Sequence, residues 1–173
     1  GEAPVVLDMA TSQYSYGRMQ STALAGDTLP TVGGYDILGN PTTDPKEILE
    51  DGRVLSAGFW KGSGLSIVLD LMAAVLSGGF CTQELDDKPA EYALSQVFIT
   101  VDPMKHNSAD MIRGKVQETV EYIHQSEPVE KDRPVYLPGE QSQKRRIENL
   151  RKGIPVDETI WAEIEALADT YAG

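Results

Sequence analysis

The sequence predicts an α/β fold, with helices packed on strands and a C-terminal helical segment. Three observations lead there. Two short runs, Pro4–Asp8 and Gln96–Val101 (QVFITV), are continuously apolar and rich in β-branched residues, as buried strands are. Between them, Gly62–Ser77 is a helical run apolar on nearly every side, the pattern of a helix buried in a layered fold. From Ser108 onward the chain turns to helices with apolar stripes.

In chain order, the first strand leads to a helix at Tyr16–Ala25, closed by Gly26. Asp27–Gly58 is crowded with turn residues: Pro30, Gly33-Gly34, Gly39-Asn40 and Pro41. One short helix interrupts it at Pro45–Glu50, with Asp44 as N-cap and Pro45 in the first helical position. A segment that long in a compact domain is functional or covers something. In Gly62–Ser77, Leu65, Val68, Leu69, Met72, Val75 and Leu76 recur at spacings of three and four, and Gly78-Gly79 end the helix. Ser108–Gln125 is amphipathic, capped by Ser108 and striped by Met111, Ile112, Val116, Val120 and Ile123. Glu127–Pro134 is charged and proline-bearing, a linker. Val135–Gln141 is a short extended piece that turns at Pro138-Gly139. Gln141–Lys152 is a basic helix with a solvated face, ended by Gly153. Asp157 caps the last helix, Glu158–Tyr171, whose Ile160, Trp161, Ile164 and Leu167 need a surface to bury against.

Composition narrows the partners. Apolar residues make up 40% of the 173 and charged residues 24%, the balance of a globular domain with a core. The net charge of -12 repels nucleic acid and anionic membranes, so neither is expected as a partner. The longest apolar stretch, Leu65–Leu76, is about a dozen residues broken by Ser66 and Asp70, short of the roughly 18 a membrane span needs. The single cysteine, Cys81, has no partner for an intramolecular disulfide and reads as a small buried hydrophobe. With only His106 and His124 to join it, no metal site is expected. The N-terminus has neither the basic region nor the apolar core of a signal peptide, and the expected compartment is the cytoplasm. The chain opens on Gly1 and almost at once on a core-like strand, which suggests a piece of a longer chain.

The chemistry concentrates in Trp60-Lys61-Gly62-Ser63-Gly64, directly before the central helix. Two readings stand open. The glycines could be punctuation at a helix start. Alternatively, a helix N-terminus attracts anions, glycine lets a phosphate approach the backbone, and Ser63, Lys61 and Trp60 add a hydroxyl, a cation and a flat ring. That set suits a nucleotide, although it is not a Walker A loop and no GxGxxG follows a strand. GxSxG and HExxH are absent, and His106 and His124 read as surface residues rather than bases. Asp8 ends the first predicted strand, where it is either a ligand residue or a turn cap.

Five stretches carry a resemblance over Val5 to Leu167: VLDMATSQYSYGRM, LAGDTLPTVGGYDILGNPTTDP, GFWKGSGLSIVLDLMAAVLSGG, LPGEQ and GIPVDETIWAEIEAL. They resemble the C-terminal half of the malate/L-lactate dehydrogenase family of NAD(P)H-dependent 2-oxoacid reductases, and WKGSG with SYG is similar to a subgroup acting on a diketo sugar acid. The resemblance implies a mixed-sheet α/β fold that is not a Rossmann fold, acting as a homodimer on a small 2-oxo acid. It implies that residues 1–133 form most of a cofactor-binding domain, and that 134–173 is a helical segment packed on an N-terminal domain outside this chain. It places a dinucleotide along Pro4, Val5, Val6, Leu7, Asp8, Met9 and Ala10, with contacts from Trp60 and Lys61 and from Gly139, Glu140 and Gln141. Relatives often carry histidine where Glu140 stands. A carboxylate there can accept from a ribose hydroxyl and would repel a 2′-phosphate, so NADH is favoured over NADPH. The family's proton-donating histidine and its companion arginine belong to the N-terminal half, and neither His106 nor His124 matches them. Two readings follow: the cofactor-binding half of an oxidoreductase, or a truncated non-catalytic module that binds nucleotide or dimerises.

Overall fold

The computed structural model describes residues 4–51, 53–90 and 92–171. The elements are α1 (Tyr16–Leu24), β1 (Gly34–Tyr35), β2 (Pro41–Thr42), α2 (Pro45–Asp51), α3 (Trp60–Ser77), α4 (Thr82–Asp86), a 3₁₀ turn (Pro103–Lys105), α5 (Ala109–His124), α6 (Glu140–Lys152) and α7 (Glu158–Tyr171). They form two compact units among the described residues: Met9–Asp102, and residues 103–171 together with residues 4–8.

Helix starts follow their caps, because a cap is a local contact that satisfies an otherwise orphaned amide. The Ser15 hydroxyl accepts from the Arg18 amide (3.2 Å), Asp44 Oδ1 from Lys46 (2.8 Å), the Ser108 hydroxyl from Met111 (3.3 Å) and Asp157 Oδ1 from Thr159 (2.9 Å). Glycines at positive φ follow or precede the helices at Gly26 (72°), Gly78 (68°), Gly139 (95°) and Gly153 (93°).

In the Met9–Asp102 unit, a small core of Met19, Leu29 and Ile48 is flanked by Tyr14, Leu49 and Val54. Beside it runs a ribbon of backbone pairings. The Leu55 amide donates to Gly33 O (2.8 Å) and the Tyr35 amide to Arg53 O (3.0 Å). The same segment also bonds to the start of the unit: the Gln13 amide donates to Leu55 O (2.7 Å) and the Ala57 amide to Thr11 O (2.9 Å). β1 pairs antiparallel with β2, Gly34 opposite Thr42. Their turn is organised by Asp36, whose Oδ1 accepts from the amides of Leu38 (2.9 Å) and Asn40 (2.8 Å). The Asn40 side chain is the main cause holding the Asp36 carboxyl below the usual carboxylate range.

Several expectations are corrected. Pro4–Asp8 and Gln96–Val101 are extended segments, not strands: neither joins a ladder among the described residues, and Phe98 is 86% exposed. A strand exists only with a neighbour to take its amides and carbonyls. The expected mixed sheet is, among the described residues, the two-stranded β1–β2 sheet plus isolated bridges. Asp8 therefore ends no strand. Cys81 is partly rather than fully buried and precedes α4.

The central helix begins two residues earlier than expected, at Trp60, and it is not buried: within it only Gly62 is. Val75 is 79% exposed and Leu76 69%, because nothing among the described residues covers that face. The helix is also longer than the apolar count suggested. Its 18 residues have mean hydropathy 1.2, long and apolar enough by those measures to cross a membrane. Asp70, midway along, is occupied within this unit: its Oδ1 accepts from the Thr82 hydroxyl (2.9 Å) and amide (3.1 Å).

Gly62 shows why the helix starts where it does. A Cβ there would lie 2.5 Å from both Ala57 O and Thr11 O, backbone atoms locked into the ribbon. At Gly64 a Cβ would meet nothing within 4 Å. Gly62→Ala is therefore expected to cost about 1–3 kcal/mol, whereas Gly64→Ala should leave stability unchanged or raise it by up to about 1 kcal/mol. Chemical denaturation of both variants checks the contrast.

Candidate functional site

The residues marked by the sequence fall in both units. Pro4–Asp8 and Gly139–Gln141 lie in the unit that begins at Pro103; Met9, Ala10, Trp60 and Lys61 lie in the Met9–Asp102 unit.

The Val135–Gln141 segment ends at Gly139, whose φ of 95° an L side chain rarely adopts. A Cβ there would sit 3.0 Å from Val6 Cβ and 3.1 Å from Val6 N and O. The Val6 amide donates to Pro138 O (3.1 Å). Pro4–Asp8 and the 138–141 turn are thus held against each other, with the absent side chain of Gly139 as the condition.

α6 begins immediately with Glu140. Its amide donates to Leu137 O (3.3 Å), and its Oε2 accepts from the amide of Leu137, which is buried. Its Oε1 lies 2.9 Å from Nε2 of His124 in the last turn of α5. The carboxyl is held below its ordinary range first by the Leu137 amide, then by the hydrogen bond and charge of His124 and by the charge of Lys144. One turn along α6, Lys144 Nζ lies 4.3 Å from the centre of the Tyr136 ring and 3.2 Å from its hydroxyl. Together with Pro128, Pro134 and Val135 these side chains line an open cavity of about 370 Å³. Gln141 is exposed on the first turn of α6.

In the other unit, Gly58 (φ 60°) and Phe59 (φ 58°) turn the chain sharply into α3. The amides that a helix start would offer an anion are already taken: Lys61 donates to Gly58 O (3.3 Å), Gly62 to Ala57 O (2.8 Å) and Ser63 to Phe59 O (3.5 Å). The Ser63 hydroxyl turns back to Trp60 O (3.2 Å). Of the two readings of WKGSG, helix punctuation accounts for Gly62. What remains outward is a Trp60 ring 77% exposed and a Lys61 ammonium with no ion pair among the described residues. Met9 and Ala10 are exposed, extended backbone.

Each unit offers its own donors: in one the Glu140 carboxylate keeps lone pairs that can accept from hydroxyls, and in the other Lys61 and Trp60 present a cation and a flat ring. Among the described residues no group of three His, Cys, Asp or Glu could hold a metal ion. His124 is the participant that the sequence did not reveal. It carries no motif, and only the packing of α5 beside the 134–140 segment brings it to Glu140.

Known proteins share this sequence pattern and fold. A family model described as malate/L-lactate dehydrogenase matches residues 1–165. A 2,3-diketo-L-gulonate reductase of Escherichia coli is 39% identical over 163 residues, 94% of this chain and 49% of the relative. The solved malate dehydrogenase of Entamoeba histolytica superposes with a TM-score of 0.83 at 20% identity, over 96% of this chain and 50% of that one. The delta1-piperideine-2-carboxylate reductase of Pseudomonas syringae superposes at 0.60 with 29% identity, over 97% and 50%. The chain spans about half the length of the curated relatives it matches.

A carboxyl whose folded pKa is lowered contributes stability above its unfolded pKa and loses that contribution as pH falls through the folded value. At neutral pH the thermal midpoint of the protein is therefore expected to exceed that of Glu140→Gln, with the gap closing as the solution is acidified below the carboxylate range. A gap that persists at low pH would contradict this assignment.

Proposed function

The chain belongs to the malate/L-lactate dehydrogenase family, and we propose that it is the C-terminal, cofactor-binding half of a nicotinamide-dependent oxidoreductase that reduces a 2-oxo acid or a diketo sugar acid. The observation that carries this reading is the family match across residues 1–165, joined to 39% identity with a 2,3-diketo-L-gulonate reductase.

When bound, the reduced nicotinamide supplies the hydride that converts a carbonyl to an alcohol. This chain's residues bind and orient. The backbone of Pro4–Ala10 and the Gly139–Gln141 turn line the dinucleotide, and Glu140 accepts from a ribose hydroxyl. Trp60 offers a flat face to a ring, and Lys61 balances phosphate charge. The Glu140 carboxylate disfavours a 2′-phosphate by repulsion, which makes NADH the preferred form. The histidine that protonates the forming alkoxide, with its companion arginine, is assigned to the N-terminal half, and His106 and His124 are not given that role. A homodimer in the cytoplasm is part of the same proposal.

A second reading, a non-catalytic nucleotide-binding or dimerisation module, is favoured by one observation: the uncovered apolar face of α3. The two part in an assay of NADH consumption by the full-length protein with 2,3-diketo-L-gulonate and simple 2-oxo acids. Turnover supports the oxidoreductase; nucleotide binding without turnover of any of them supports the module.

Lys61 gives a residue-level test. Lys61→Ala should weaken NADH binding by about 1–3 kcal/mol, the scale of a charge-assisted hydrogen bond, with the circular dichroism spectrum unchanged. Equal affinity in the two proteins would remove Lys61 from the site.

A further inference from the structure

We propose that His124 is a positioning residue that sets this site's preference between NADH and NADPH: it anchors one oxygen of Glu140 and, when protonated, offsets the carboxylate charge that a 2′-phosphate meets. This rests on the cofactor reading above and adds a residue and a pH dependence to it.

Geometry carries the inference. Both oxygens of Glu140 are anchored, Oε2 by the Leu137 amide at 3.0 Å and Oε1 by His124 Nε2 at 2.9 Å. The carboxylate is therefore fixed on the cavity wall rather than free to swing away from an unwelcome anion. Its anchors also keep it charged under mildly acidic conditions. Histidine is the side chain that changes charge between about pH 5 and 8. The pair therefore carries one negative charge when the imidazole is neutral and none when it is protonated. The titratable and charged groups facing His124 across the cavity are Glu140 and Lys144 from α6 and Tyr136 from the segment before it. Lys144 is drawn to the Tyr136 ring and hydroxyl and acts on Glu140 through its charge alone, whereas His124 is hydrogen-bonded to the carboxylate.

NADPH differs from NADH by one 2′-phosphate of charge about -1.5 to -2 near neutral pH. With the imidazole neutral, that phosphate faces a carboxylate to which His124 adds no charge. With the imidazole protonated, the repulsion falls. The preference for NADH over NADPH should therefore shrink about threefold to tenfold on going from pH 8 to pH 5.5, beyond any change from protonation of the phosphate itself.

The test is a fluorescence titration of the full-length protein with NADH and with NADPH at several pH values, for the parent, His124→Gln and Glu140→Gln. Glutamine at 124 keeps a donor to Glu140 but cannot gain charge. The expected result is a steeper fall of the NADH preference toward acid in the parent than in His124→Gln, and a weak, nearly flat preference in Glu140→Gln. Equal slopes in the parent and His124→Gln overturn the role of His124 while leaving the cofactor reading intact. Failure of both nucleotides to bind the folded parent overturns both. Circular dichroism of each variant establishes that it is folded.

Discussion

Residues 53–57 hydrogen-bond through their backbone to two distant segments, and the Met9–Asp102 unit depends on that double engagement. Arg53 and Leu55 meet Gly33–Tyr35, and Leu55 and Ala57 meet Thr11 and Gln13. Among the described residues the buried hydrophobic cluster is Met19, Leu29 and Ile48, and the main-chain bonds tie it to the segments around it. Close backbone packing explains the glycines. Gly33 and Gly34 lie against Leu29 and Ile48, and Gly62 lies against the carbonyls of Thr11 and Ala57. The WKGSG motif thus joins two tasks, a glycine that lets a helix dock on a ribbon and two flanking side chains left outward.

The parts of the fold legible in the sequence are those with local causes. Ser108, Asp44 and Asp157 mark helix starts because each side chain bonds an amide two or three residues away. Gly26 and Gly153 mark ends for a similarly local reason. Strands have no such local cause. Pro4–Asp8 and Gln96–Val101 have strand composition, yet composition supplies no neighbouring strand, and neither joins a ladder among the described residues. β1 and β2 went unread for the opposite reason: each is two residues long, and their pairing is set by the Asp36–Asn40 turn rather than by any apolar pattern. The burial of α3 was inferred from its all-round apolarity, and apolarity states only that a helix needs cover, not that this chain provides it.

The candidate site divides along the same line. Gly139 and Glu140 were legible through the LPGE pattern of the family, and the structure adds the reason glycine precedes the glutamate: the Val6 backbone passes where a side chain would stand. His124 was not legible. Its contact with Glu140 arises from the placing of α5 beside the 134–140 segment, and nothing near it in the sequence encodes that distance. Likewise, Lys144 looked like one member of a solvated basic face until its ammonium was found over the Tyr136 ring.

The docking of Gly62 has a consequence for the order in which this unit assembles. The C-terminal turns of α3 need only neighbours in sequence and can form early, since local contacts close with little chain entropy to overcome. Its first turn is different. The amide of Gly62 bonds to Ala57, and Ala57 is held by Thr11, far back along the chain. That end can settle only after the distant segments have met. Seating Gly62 therefore closes a loop that runs from Thr11 to the start of α3, and the first turn of this helix depends on chain closure that its later turns do not need.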